Sequence, residues 1–176
     1  MDFISSKCII HRDLATRNIL VNELGVCKIA GFGLASGVVD ERQYRYKIKG
    51  RLPIRWLAPE TIDGTNFTTK SDVWSFGILL WEIVTMGNKP YPDMCEWEVT
   101  SSLQKGYRMP NPPHCDKDLY ATMLSCWSAD PQNRPGFSEL KTMLFKLVKD
   151  EKIYIDVQAI NPIDSKKLQN EDGESC

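Results

Sequence analysis

The chain has 176 residues, 42% apolar and 26% charged, with a formal net charge of −1. That length suits one domain with a substantial core, and that composition is ordinary for a globular protein. The near-zero charge gives no electrostatic reason for a nucleic-acid or membrane-surface partner. Six cysteines without a C-x-x-C pair fit a reducing compartment better than a disulfide framework or a zinc site.

Taken in chain order, Met1, Ile4 and Cys8 fall at helical spacing with no capping residue before them, which predicts the end of a helix whose start lies upstream. Residues 19–21 and 26–29 read as two short strands around an Asn22–Gly25 turn. Residues 34–57 keep no steady period and read as one long loop, of the kind that is functional or disordered. Lys70 to Met86 is apolar on almost every side, which predicts a helix buried all round at the centre of the domain. Thr69 and Asp72 read as its capping box. The most apolar stretch, Val73 to Met86, contains Glu82 and is too short for a membrane span, and no signal peptide opens the chain, so the cytosol is the default location. Helical patterns return at 95–105, 116–127 and 137–149, separated by Pro110, Pro112, Pro113, Pro131 and Pro135. Residues 151–176 are polar and without period, and read as a mobile tail.

The chemistry is concentrated in His11-Arg12-Asp13-Leu14-Ala15-Thr16-Arg17-Asn18, followed by Gly31-Phe32-Gly33. In the pattern H-R-D-x-x-x-x-N an aspartate accepts the proton of a phosphoryl-acceptor hydroxyl, and an asparagine five residues on holds a metal ion. His-Arg-Asp alone is a weak signal, since an isolated Asp13 is equally a solvated surface aspartate. Eight matching residues followed at the right distance by a hairpin and a Phe-Gly turn are a strong one.

On these residues, chain positions 1–150 resemble the catalytic domain of the protein tyrosine kinases. The resemblance implies a protein-kinase-like α+β fold, of which this chain is the mainly α-helical C-terminal lobe with a short β-hairpin. No glycine-rich G-x-G-x-x-G loop or V-A-I-K lysine, the parts that hold ATP phosphates, precedes His11. It further implies transfer of the ATP γ-phosphate to protein tyrosine, with Asp13 as general base and Arg17 beside it. Arg17 and Asn18 lie toward the nucleotide, and Asn18 toward Mg²⁺. Ala15 stands where serine/threonine kinases carry lysine, and Arg17 matches the A-x-R variant of tyrosine kinases. Leu52 to Glu60 resembles the substrate-docking segment, with Pro53 and Trp56 as a wall for a phenolic side chain; the plainer reading of Trp56 is a core tryptophan.

Other implied roles are architectural or regulatory. Glu60 is expected to pair with Arg134, and Asp72 to hold the catalytic loop's backbone from below. His11 supports the loop; with His114 the only other histidine, a metal site is not expected. Arg12 would bind a phosphorylated Tyr44 or Tyr46, which lie among Arg42, Arg45, Lys47 and Lys49. The plainer reading is two exposed tyrosines on a basic loop. Tyr154 would dock phosphotyrosine-reading domains, although four residues of tail carry little information.

The departure from the family pattern is Gly31, which stands where the D-F-G aspartate would ligate Mg²⁺. A metal contributes several kcal/mol of charge stabilisation. At about 1.4 kcal/mol per tenfold, losing half of it slows transfer roughly a hundredfold or more. Aspartate and glycine codons differ by one nucleotide, so Gly31 is also explained by a single base change. Three readings follow: a tyrosine kinase lobe inactive as this chain, a pseudokinase-like scaffold or interaction module, and a truncated product without function of its own. Retention of both Asp13 and Asn18 favours descent from active tyrosine kinases.

Overall fold

Five α-helices and two small antiparallel sheets make up the described part of the computed structural model, residues 1–37 and 52–150. Helix α1 (Asp2–Ser6) ends before Cys8, which takes a positive φ of 56° and leaves the helical path. Strand β1 (Ile9–Ile10) pairs antiparallel with β4 (Ser36–Gly37), and β2 (Ile19–Val21) pairs with β3 (Cys27–Ile29). The β2–β3 turn is closed by the Asn22 side-chain oxygen, which accepts from the Leu24 and Val26 amides at 3.1 and 2.8 Å. That Asx geometry is what an asparagine offers at a tight turn.

Helix α2 (Thr69–Val84) is the central element, with Val73, Trp74, Ile78 and Leu79 in the core. It is not buried all round: Ile83 is 45% exposed, because the neighbouring helices cover only part of its circumference. Its cap also lies one residue earlier than the sequence pattern places it. The Thr68 hydroxyl accepts from the Lys70 amide at 3.1 Å, and the Thr68 amide donates to the Ser71 hydroxyl at 3.0 Å. Asp72 takes no part in capping, because its carboxylate is committed elsewhere. Gly77 lets α4 (Lys117–Cys126) approach closely. A Cβ there would stand 2.6 Å from Trp127 Nε1 and 2.8 Å from Cys126 Cβ, so an alanine would force the two helices apart.

Helices α3 (Glu96–Gln104) and α5 (Phe137–Lys149) complete the bundle. Phe137, Leu140 and Leu147 of α5 face the core, and Glu139 accepts from the Gly136 amide at 2.7 Å across its first turn. The stretch 34–57 is not one loop: its first part carries β4, and Ile54–Trp56 is a 3₁₀ turn. Two-residue strands and single turns are too short for a period to reveal. The predicted tail, 151–176, lies outside the described residues. Among the described residues no helix is long and apolar enough to cross a membrane.

Candidate active site

Residues 11–18 run across the top of α2, and two buried carboxylates of that helix hold them. Asp72, 1% exposed, accepts from the His11 amide at 2.7 Å and the Arg12 amide at 2.9 Å, one bond to each oxygen. Arg12 sits at φ 69°, a conformation that costs a side-chain-bearing residue energy and persists where the surroundings enforce it. The two hydrogen bonds enforce it here. Burial raises the Asp72 pKa to about 6, against the pull of those same two amides.

Nearly three helical turns further on, Glu82 is 5% exposed. It accepts from the Thr16 amide at 3.1 Å, the Thr16 hydroxyl at 2.7 Å and Trp56 Nε1 at 2.9 Å. One carboxylate thus ties the loop to the 3₁₀ turn that carries Trp56. The sequence pattern registers Glu82 only as a charge in an apolar run. The signal was available: a buried carboxylate must find donors, and the polar segments around the helix are where they lie.

His11 is fully buried and joins the loop to the Gly31 turn. Its Nε2 lies 2.8 Å from the Ala30 carbonyl, and Nδ1 accepts from the Asp13 amide at 3.3 Å. Those partners assign the ring proton to Nε2. The ring also meets Phe32 edge-on, with centroids 4.8 Å apart.

Asp13 reaches the surface between two neighbours. Arg17 Nη2 donates to Asp13 Oδ1, and Asn18 Nδ2 donates to Asp13 Oδ2 at 2.8 Å and to the Asp13 carbonyl at 2.6 Å. The Arg17 guanidinium lies over the Trp56 ring at 4.4 Å. Trp56 therefore presents one face to Arg17 while its indole N–H is held by Glu82. Pro53 precedes the 3₁₀ turn that carries Trp56, and the Trp56 amide donates to its carbonyl at 3.0 Å. Arg55, buried between them, donates to the carbonyls of Pro90, Tyr91 and Met94. Burial lowers its pKa. Arg55 is a second anchor that sequence reasoning passes over, since a lone arginine in a polar stretch carries no periodic signal.

Glu60 and Arg134 meet in a two-pronged contact, Nη1 to Oε1 at 2.6 Å and Nη2 to Oε2 at 2.9 Å. Arg134 also donates to the carbonyls of Ser128 and Lys70 and lies over Trp74. Arg12 is buried with its guanidinium 5.2 Å from the Phe67 ring. Tyr44, Tyr46 and their basic neighbours, and Tyr154, lie outside the described residues.

The donor set does not fit Mg²⁺. That ion takes oxygen ligands, ordinarily one or two carboxylates beside substrate phosphates. Gly31 supplies no side chain, the Asp13 oxygens accept from Arg17 and Asn18, and Asn18 brings only a neutral carbonyl oxygen. Among the described residues no group of three or more His, Cys, Asp or Glu is placed to hold a metal ion.

A family model described as protein tyrosine and serine/threonine kinase matches residues 1–144. Tyrosine kinase receptor Cad96Ca of Drosophila melanogaster is 49% identical over 158 residues, which cover 90% of this chain and 20% of that protein. Tyrosine-protein kinase receptor torso of Bombyx mori is 48% identical over 148 residues, 84% of this chain and 18% of that protein. Tyrosine-protein kinase receptor Tie-1 of Danio rerio is 46% identical over 157 residues, 89% of this chain and 84% of that protein. The chain thus spans about a fifth of the first two relatives and most of the third.

Proposed function

We propose that this chain, which belongs to the protein tyrosine and serine/threonine kinase family, is the helical C-terminal lobe (residues 1–150) of a receptor-type tyrosine kinase catalytic domain, impaired in phosphoryl transfer at Gly31. The observation that carries the tyrosine-directed reading is the trio Asp13, Arg17 and Trp56: a surface carboxylate beside a guanidinium stacked on an indole. A phenolic side chain long enough to lie along Trp56 and Pro53 would bring its hydroxyl to Asp13. Asp13 would orient that hydroxyl and receive its proton, and Arg17 would hold Asp13 in place.

In the family the phosphoryl group comes from ATP with Mg²⁺. The donor set around Asn18 and Gly31 is unsuited to that ion, so no transfer step is assigned to this chain. Incubated with Mg–ATP and a tyrosine peptide, the purified chain is expected to yield no phosphopeptide. Turnover that disappears in D13N would overturn the impaired reading. The docking role has its own measurement. A tyrosine peptide should perturb the chain's tryptophan fluorescence, and W56A should weaken binding at least tenfold; undiminished binding would remove Trp56 from the docking surface.

A second reading, an interaction module built on the kinase fold, is supported by the contrast between a fully bonded supporting face and a self-paired rim. Under either reading the partners are tyrosine-containing proteins at Trp56, with phosphotyrosine-reading domains at Tyr154. Tyr44 and Tyr46 are proposed phosphorylation sites read by Arg12, and phosphosite mapping after treatment with an active tyrosine kinase tests them. The receptor-type relatives favour a cytoplasmic location for the lobe.

A further inference from the structure

We propose that the first part of the C-terminal tail, residues 153–157, seats in an apolar groove between α1, α2, α5 and the β2–β3 hairpin. A cavity of about 310 Å³ opens there, with Leu14, Ile19, Ile29, Phe76, Leu140 and Leu144 among its walls. Its two charged side chains, Asp2 and Lys141, pair with each other at 3.6 Å where both are open to solvent. Every other lining side chain is apolar. The groove therefore selects an apolar occupant over a phosphate or a sugar.

An exposed stripe on α5 joins the groove to the point where the tail departs. Lys141 lines the groove, and Phe145 and Val148 follow it at i+4 and i+7. That spacing puts all three on one side of the helix. Phe145 is 70% exposed and Val148 62%. Scattered singly, such residues need no explanation, but these two run on from an open apolar groove. Helix α5 ends at Lys149, so the stripe leads from the tail's first residues back to the cavity.

The tail's sequence suits that seat at its beginning and nowhere else. Residues 153–157 read Ile-Tyr-Ile-Asp-Val, whereas 164–176 are mostly polar. In an extended conformation, which β-branched residues favour, Ile153, Ile155 and Val157 share one face and Tyr154 and Asp156 the other. The lengths agree as well. At about 3.3 Å per extended residue, the stretch from Asp150 to Val157 reaches about 23 Å. At about 1.5 Å per helical residue, Leu144 lies about 9 Å and Phe137 about 20 Å back along α5. A chain that turns back after Lys149 thus passes Val148 and Phe145 and delivers three apolar side chains to the groove.

Tethering favours this occupant over a second copy. A segment joined to α5 by a few residues meets the groove at an effective concentration on the order of millimolar, which a separate chain has to exceed. Seated in this way, the tail covers Phe145 and Val148 and holds Tyr154 and Asp156 outward. The inference goes beyond the tyrosine kinase reading and uses neither Asp13 nor its neighbours on the rim.

Methyl NMR on the full chain tests the seat directly. Nuclear Overhauser contacts are expected from the Ile155 and Val157 methyls to those of Leu140 and Leu144; their absence would sink the proposal. The double variant I155D/V157D should shift the Ile19, Ile29, Leu140 and Leu144 methyl signals. It should also raise the fluorescence of ANS, a dye that reports exposed apolar surface, about threefold or more. Groove methyls left unmoved, or ANS fluorescence left unchanged, would overturn the seat. So would contacts found only between differently labelled copies in a mixed sample, which would assign the groove to a second chain. None of these readouts involves phosphoryl transfer, so they can fail while the tyrosine kinase reading stands, and the reverse.

Discussion

The supporting face of the 11–18 loop and its outer rim are built on opposite terms. Beneath the loop, Asp72 and Glu82 are almost without solvent, and the donors they meet lie about sixty residues away along the chain, or twenty-six in the case of Trp56. On the rim, Asp13, Arg17 and Asn18 satisfy one another within five residues. The difference teaches which half of a site tolerates sequence change. A buried polar group left without its partner costs the folded state its full desolvation penalty. A rim group can turn to a neighbour or to water, so a change on the rim leaves the scaffold in place.

The sharpest way to break this comparison is at Arg134, whose guanidinium is buried and bonded on both prongs to Glu60. R134A is expected to cost roughly 3–5 kcal/mol in urea unfolding, because it strands a carboxylate and vacates the face of Trp74. A cost below 1 kcal/mol would mean that the contact is ornamental.

Next comes pH. The folded Asp72 carboxyl titrates near about 6 rather than 3.8, so between those values the native state binds more protons than the unfolded chain. Its contribution to stability is therefore lost as pH rises from about 4 to about 6, and changes little above that. The displacement corresponds to on the order of 3 kcal/mol. D72N has no such proton, so the difference in unfolding free energy between the two proteins should change across that window; parallel curves would refute the assignment.

Smaller again, E82L removes the acceptor of Thr16 and Trp56 and is expected to cost about 1–3 kcal/mol, with a red-shifted Trp56 emission. E82Q, which keeps one acceptor oxygen, should cost less. Smallest of all should be D13N on the rim, about 1 kcal/mol or less. If D13N rivals R134A, the division between face and rim is wrong.

How far the sequence carried the fold depended on element length. The apolar run at 70–86 and the later helices announced themselves because nine or more residues give a period time to repeat. The hairpin was legible from Asn22 and Gly25. The β1–β4 pairing was not, since two residues have no pattern. The Thr69–Asp72 capping box was a near miss: Thr68 and Ser71 satisfy the same template one residue earlier, and Asp72 was drawn off to amides far along the chain. The helix over 70–86 was expected to be buried all round, yet Ile83 is 45% exposed.

The sequence by itself determined which groups could meet locally. Asp13, Arg17 and Asn18 lie within five residues of one another in one short loop, close enough to pair once that loop is held. It also determined, through Gly31, that one carboxylate would be missing. Only the tertiary structure decided which groups distant in the chain meet. Asn18 and Gly31 come into contact because the hairpin between them folds back and His11 clamps the far side. Glu82 and Asp72 became supports because α2 passes beneath the loop. Long-range pairing is decided by where buried polar groups can find partners once the core has formed, a condition that no local pattern encodes.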